Sequence, residues 1–346
     1  MSKMLEEIRE QPVTLERTLQ AERRPMEDLR GLVERNPPRL VMLVARGTSD
    51  NAAQFGRYLL EVTTGIPVTL AAPSIFTLYN APFRFEGVLV VAISQSGEST
   101  DTNLVVQRAR EQGARTIGIT NEADGSLARI AEHVFLVHAG REQSVAATKT
   151  YTGQLLMLYL LARALGANIA LDDLSRLPEW SSRALQLEVE IARRAERYRF
   201  MDHAVVIGRG LNYANAFEFA LKLMETCYVV AERFSSADLL HGPIAMVEAS
   251  FPAFLFAPQG VTWPGLREMI EKLNQLKAET LLITDQANRE ALAFHERAVA
   301  LPMPLPEVFT PIPYIVPAQI FAACLAEHKG LDPDQPRTLT KVTRTL

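Results

Sequence analysis

The chain has 346 residues, 48% of them hydrophobic and 22% charged, with a formal net charge of −4 and a pI near 6.0. Such a length predicts about two domains, and the composition is that of an ordinary globular protein with ample apolar material for two cores. The slightly acidic balance, without a block of like charge, gives no electrostatic support for a nucleic-acid or membrane-surface partner.

The first eleven residues are charged and lack the apolar centre of a signal peptide, and no run approaches the length of a membrane span. A cytoplasmic protein is expected. Cys227 and Cys324 have no CxxC spacing and lie among apolar residues, which fits two buried thiols in a reducing compartment. The six histidines are scattered without metal-binding spacing, so neither a metal nor a cofactor is expected.

In chain order, apolar strand candidates fall at 40–45, 66–70, 88–93, 115–120 and 134–137, with helical stretches at 50–62, 102–112 and 148–165. Strands alternating with helices predict an α/β fold with a doubly wound, flavodoxin-like parallel sheet in a three-layer αβα sandwich. The pattern then returns. Val44-Ala45-Arg46-Gly47 matches Ile207-Gly208-Arg209-Gly210 at an offset of 163, while 88–93 pairs with 252–257 and 114–121 with 278–285 at 164. Three strands in the same order at a nearly constant offset predict two tandem copies of one domain. Residues 171–199 are charged and Pro-interrupted, with helical periodicity, and read as a linker with a linking helix. The expected domains are 1–180 and 181–346.

The segment Ser94-Gln95-Ser96-Gly97-Glu98-Ser99-Thr100 follows an all-apolar run and precedes a helix, placing four hydroxyls within seven residues. Unpaired N–H groups, the helix dipole and the hydroxyls can together bind one phosphate there. A single Ser or Thr in such a place is commonly an N-cap. Arg46-Gly47-Thr48-Ser49 also follows a strand and precedes a helix, and strand ends in such sheets converge on one crevice. Ser49 reads equally as a second anion contact and as a helix N-cap, and neither role excludes the other. The second copy has Pro258-Gln259-Gly260-Val261 in place of Ser94-Gln95-Ser96-Gly97, so one anion site per chain is expected.

Glu218, Lys222 and Glu225 fall at i, i+4 and i+7 on a helix that is apolar almost all round. Charges on a buried helix must face a partner or a cleft, and a carboxylate withdrawn from water can serve as a general acid or base near neutral pH. Sixteen residues beyond Glu225, His241 precedes a Gly-Pro turn, where a structural histidine and a functional one look alike.

Taken together, residues 5–12, Gly47-Thr48-Ser49, Ser94-Gln95-Ser96-Gly97-Glu98, Val145-Ala146-Ala147-Thr148-Lys149, residues 220–225, Leu240-His241-Gly242-Pro243 and Lys341-Val342-Thr343 resemble the isomerase half of glucosamine-6-phosphate synthase, a double sugar-isomerase (SIS) domain architecture. The resemblance spans essentially the whole chain. It is nearest to stand-alone SIS-type glucosamine-6-phosphate deaminases, whose chains end in the same Lys-Val-Thr-x-Thr-Leu tail.

The resemblance implies a sugar-phosphate substrate whose phosphate is bound by Thr48, Ser49, Ser94, Gln95, Ser96 and Ser99, with Gly47, Val145, Ala147 and Thr340 bordering the sugar. It implies Glu225 as the shuttle of a proton between C1 and C2, His241 from the neighbouring subunit of a homodimer as the ring-opening group, Lys341 as the Schiff-base lysine and Lys222 as its assistant. Ala147, Phe219 and Thr340 depart from the synthase pattern and bear on the sugar's substituents. A glutaminase half and its cysteine nucleophile are missing from the resemblance. Hydrolysis of glucosamine-6-phosphate to fructose-6-phosphate and ammonia is therefore the expected reaction, beside a fructosamine-6-phosphate deglycase or another phosphosugar aldose-ketose isomerase. A non-catalytic sensor would need a basic helix-turn-helix, and the 39 residues before Leu40 are of mixed charge.

Overall fold

The computed structural model describes residues 2–294 and 297–341, so Val342 and Thr343 of the terminal motif, with the rest of the tail to Leu346, lie outside the described residues. Two compact units are present, each built on its own five-stranded parallel sheet. The chain changes unit after Arg9, Glu142, Ala146, Pro178 and Arg337.

The first-sheet unit comprises Glu10–Glu142, Ala147–Pro178 and, among the described residues of the tail, Thr338–Lys341. Its strands are β1 (Leu40–Val44), β2 (Val68–Leu70), β3 (Val88–Ser94), β4 (Arg115–Thr120) and β5 (His133–Leu136), in the order β2-β1-β3-β4-β5. Every residue of the central β3 is buried, which is why its sequence is apolar without alternation. β1 pairs with β3 from Leu40↔Val88 to Val44↔Ala92, so the loops that leave these strands emerge side by side.

Helix Gln11–Arg35 buries Leu15, Met26, Leu29 and Val33 along one stripe and packs on helix Lys149–Ala164. Glu22 lies on that stripe and is satisfied by His138 Nε2 at 2.7 Å and by the Leu136 N–H at 3.2 Å. Lys149–Ala164 is buried almost all round. It approaches the end of the sheet so closely that a Cβ on Gly153 would lie 2.3 Å from Val137 Cγ1.

The second-sheet unit comprises the N-terminus through Arg9, Gln143–Ala146 and Glu179–Arg337. Its strands are β6 (His203–Gly208), β7 (Val230–Ser235), β8 (Pro252–Phe256), β9 (Glu279–Asp285) and β10 (Ala298–Leu301), in the order β10-β9-β8-β6-β7. This is the first sheet's topology again. β1 and β6 begin 163 residues apart, and β3 with β8 and β4 with β9 begin 164 apart, reproducing the offsets of the sequence repeat. The N-terminal helix Lys3–Arg9 is held here by Asp334, whose carboxylate accepts from the Lys3 and Met4 N–H groups at 2.7 Å each. Arg9 Nε adds a 2.9 Å bond to Glu188.

Helix starts differ from the periodicity. Thr48–Thr64 and Thr100–Glu111 each begin two residues earlier than the apolar pattern indicates, because Gly47 and Ser99 hold the N-cap positions. Ser49 therefore sits inside the first turn and is not the N-cap. The charged 171–199 segment forms three short helices, Leu171–Ser175, Leu177–Leu185 and Glu188–Glu196, in place of one linking helix. Among the described residues, no helix is long and apolar enough to cross a membrane.

Two glycine substitutions separate packing from propensity. Gly153→Ala is expected to cost about 1–3 kcal/mol through overpacking against Val137. Gly31→Ala, in the exposed middle of Gln11–Arg35 with nothing within 4 Å of the new methyl, is expected to gain about 0.5–1 kcal/mol. Denaturant titration of the two variants checks both signs.

Candidate active site

In the first-sheet unit, the loop hydroxyls fall into two kinds according to whether they accept or donate within the protein. A serine hydroxyl has one proton to donate and two lone pairs to accept. Ser94 Oγ accepts from the Gly97 N–H at 3.2 Å, Ser96 Oγ from the Glu98 N–H at 3.2 Å, and Ser49 Oγ from Gln154 Nε2 at 3.0 Å. Among the described residues none of the three donates its own proton to another protein group, which leaves those protons for an outside acceptor. Ser99 is different, because its Oγ donates to Asp101 Oδ1 at 3.0 Å and must turn away before it can donate to an anion.

The loop is fixed from below. Gly97 adopts φ +67°, and a Cβ there would press on Thr120 Oγ1 at 3.2 Å. Its carbonyl accepts from Leu127 N and Asn103 Nδ2, both at 2.9 Å. Glu98 is turned away from the loop and takes the Ser126 N–H and Oγ–H at 2.8 Å each. Gln95 is half-buried and its carbonyl accepts from the Asn121 N–H at 3.1 Å. Gly47, at φ +57° with open space beside it, and the half-buried Thr48 open the neighbouring helix.

The counterpart loop after β8 is closed by the protein itself. Glu307 Oε2 accepts from the Val261 N–H at 2.7 Å and Oε1 from Thr262 Oγ at 2.5 Å. Gly260 leaves room for this carboxylate, since a Cβ would fall 1.9 Å from Glu307 Oε2 and displace it. An internal carboxylate thus occupies donors at the start of helix Trp263–Gln275.

The second-sheet unit also carries the charged stripe, on helix Tyr213–Cys227. Glu218 and Lys222 are wholly buried, and Glu225 is 21% exposed. Lys222 Nζ lies 2.6 Å from Glu225 Oε2 and 3.4 Å from Glu218 Oε1. Burial alone would depress the Lys222 pKa, but the charges of Glu218 and Glu225 outweigh it and hold the ammonium above the usual lysine range. His241 is exposed at the C-cap of helix Ser236–Leu240, where Gly242 follows with φ +129°. Cys227 and Cys324 are buried free thiols, and burial pushes Cys227 up to about 11, which removes it as a nucleophile.

Lys341 belongs to the first-sheet unit, where its Nζ lies 2.9 Å from Glu142 Oε2. Glu142 gave no signal in the sequence, yet it is the hub of this corner. It also accepts from the Thr148 N–H at 2.9 Å, the Thr150 N–H at 3.2 Å and Thr150 Oγ at 2.7 Å, closing the start of helix Lys149–Ala164. Burial pushes the Glu142 carboxyl up, but the Lys341 charge and the hydrogen bonds overcome this and hold it below its ordinary value. Ala147 is half-buried and Thr340 exposed in this unit. Val145 lies in the second-sheet unit, with its N–H on the Asp334 carbonyl at 3.4 Å.

The model of the SIS domain family matches residues 37–164 and again 199–326. The chain therefore belongs to the SIS domain family, with two copies of the domain in tandem. It is 34% identical over 339 residues to a glutamine-fructose-6-phosphate aminotransferase (isomerizing) of Methanothermobacter thermautotrophicus, covering 98% of this chain and 56% of the relative. It thus spans a little over half the length of the curated relatives it matches. Its fold is similar to the C-terminal domain of glucosamine-fructose-6-phosphate aminotransferase from Francisella tularensis, with a TM-score of 0.87 and 27% identity over 97% of this chain and 98% of that one. It is also similar, in fold alone, to glucosamine-6-phosphate deaminase from Thermotoga maritima, with a TM-score of 0.81 and 24% identity over 99% of this chain and all of the other.

The Glu142 carboxyl has a lower pKa folded than unfolded, so its stabilisation is complete above the ordinary value of 4.5 and is lost as pH falls through the folded value. Glu142→Gln is expected to cost about 1.5–3 kcal/mol at pH 7. The gap between variant and parent should narrow below the ordinary carboxylate range, as read by denaturant titrations at both pH values. A gap of constant size would contradict the assignment.

Proposed function

We propose that this chain is an aldose-ketose isomerase of phosphorylated amino sugars that acts as a deaminase, converting glucosamine-6-phosphate and water into fructose-6-phosphate and ammonia. The observation that carries this reading is the partly exposed Glu225 carboxylate, oriented through one oxygen by the buried Lys222 at 2.6 Å. The second oxygen remains for proton exchange.

In the open-chain substrate C1 is an aldehyde and C2 bears the amine and a proton acidified by that aldehyde. Moving this proton from C2 to C1, while the amine nitrogen gives up one proton and O1 gains one, converts the amino aldehyde into a C2 imine beside a C1 hydroxymethyl group, and water then replaces the imine nitrogen to give the ketone and ammonia. A positioned carboxylate contributes typically 10²–10⁴ to such a transfer. Ser49, Ser94 and Ser96, which keep their protons, are suited to a phosphate acceptor, with Thr48, Gln95 and a rotated Ser99 as further donors. His241 would open the sugar ring, supplied to the neighbouring subunit of a homodimer. Lys341 acts as an imine-forming amine only after leaving Glu142, because the nucleophile is the neutral amine.

The name of the Methanothermobacter relative supports the substrate class, since it joins fructose-6-phosphate, amino transfer and isomerisation. Release of ammonia and fructose-6-phosphate from glucosamine-6-phosphate, beside galactosamine-6-phosphate and a fructosamine-6-phosphate conjugate, tests the reading. Equimolar release from glucosamine-6-phosphate is expected, with kcat lowered about 10²–10⁴ in Glu225→Gln. Undiminished turnover in that variant would remove Glu225 from the chemistry, and turnover of the conjugate alone would move the function to deglycation.

A further inference from the structure

A phosphomonoester carries about −1.5 to −2 charges near neutral pH, whereas the serines of the two loops offer neutral donors only. Arg46 is the only cationic residue in either 45–50 or 94–103. It directly precedes Gly47-Thr48-Ser49, and its side chain reaches from the loop after β1 to the helix start after β3. There Nε and Nη2 lie 2.7 and 2.6 Å from Asp101 Oδ2. The other carboxylate oxygen, Oδ1, accepts from Ser99 Oγ and from the Thr102 N–H, each at 3.0 Å.

The two partners differ in exposure. The Asp101 side chain is 2% exposed and that of Arg46 is 52% exposed. One edge of the guanidinium is therefore anchored by a buried carboxylate, while the edge containing Nη1 is directed away from it. A planar guanidinium has five N–H donors in a fixed fork, so a carboxylate on one edge leaves donors for a second oxyanion. Anchoring also removes much of the rotamer freedom that a free arginine loses on binding. A surface salt bridge made only for stability would contribute little. This one instead ties a loop carrying Ser49 to a loop carrying Ser94, Ser96 and Ser99.

We propose that Arg46 is a specificity-determining residue of the phosphate site, donating to the substrate phosphate with the edge of its guanidinium that Asp101 leaves free, and that Asp101 is the positioning residue that aims it. This rests on the reading that the two loops hold the phosphate. Arg46 then separates phosphorylated from unphosphorylated sugars, because only the phosphate has an oxyanion to receive the charge-assisted bond.

Calorimetric binding of glucosamine-6-phosphate and of inorganic phosphate to the full chain, with KM and kcat for the sugar, tests this on Arg46→Gln, Arg46→Lys, Asp101→Asn and Ser94→Ala. Arg46→Gln is expected to raise both dissociation constants and KM about 10- to 100-fold, with kcat within about threefold. Arg46→Lys should recover part of the loss, since the charge remains but the fork does not. Asp101→Asn should raise KM while leaving kcat, which a general loss of fold would not do. Unchanged binding in Arg46→Gln beside weakened binding in Ser94→Ala would overturn the proposal and leave the phosphate reading standing. Unchanged binding in both would overturn the two together. Should Arg46→Gln fail to fold, Arg46→Lys decides, since binding equal to the parent's would deny any role to the fork.

Discussion

The first N–H groups of a helix have no partner within it, and in a parallel α/β fold nearly every strand delivers the chain to such a helix start. Much of this structure depends on how that need is met. Asp334 takes the Lys3 and Met4 N–H groups, Glu142 those of Thr148 and Thr150, Glu307 that of Val261, and Glu98 that of Ser126. In each place a carboxylate of the protein supplies the anion that the helix dipole favours. The loop after β3 uses hydroxyls instead. Ser94 and Ser96 take the Gly97 and Glu98 N–H groups with their lone pairs and retain their own protons. A hydroxyl in that place satisfies the loop internally and leaves it able to bind an anion, which a carboxylate cannot do.

The two copies of the domain differ at this point more than anywhere in their topology. Strand order, parallel pairing and spacing are common to both sheets. The second copy has glycine and valine where the first has Ser96 and Gly97, and Glu307 fills the donors so exposed. Losing the serines would have left a polar loop in search of an acceptor, and a carboxylate from a later turn provides one. Gly260 suits this arrangement, because the carboxylate stands where a Cβ would be and a side chain there would displace it. Glu307 thereby occupies the donors that the counterpart loop would otherwise present.

What was legible in the sequence is what short-range physics controls. The buried β3 is an unbroken apolar run, and the repeat offsets survive because each copy preserves its strand spacing. The stripe of Glu218, Lys222 and Glu225 is set by helical geometry alone. Helix starts were misjudged by two residues because glycine and serine caps lie outside the apolar pattern that marked them. Glu142, Glu307 and Asp101 were missed for another reason. Their partners are Lys341, Val261 and Arg46, 199, 46 and 55 residues away, and no periodicity announces a carboxylate whose partner is brought in by the fold. Nor did the sequence signal that the Ser99 hydroxyl meets Asp101 Oδ1 and Thr102 Oγ1, each at 3.0 Å.

The charged stripe shows how structural and chemical roles can share one helix turn. Two carboxylates and one ammonium are taken from water together, and the cost of desolvating each is several kcal/mol unless a partner is close. Lys222 meets that condition by touching both glutamates, so that its 3.4 Å contact offsets the burial of Glu218. Removing Lys222 would strip the buried Glu218 of its cation, so a loss of activity there would not distinguish chemistry from stability. Glu225 stands at the edge of the cluster, 21% exposed, and an isosteric amide in its place leaves Lys222 and Glu218 paired. The helix therefore holds the Glu225 carboxylate in orientation through Lys222, whose contact with Glu218 remains when that carboxylate is replaced. This separates a positioned carboxylate from the salt bridge that positions it.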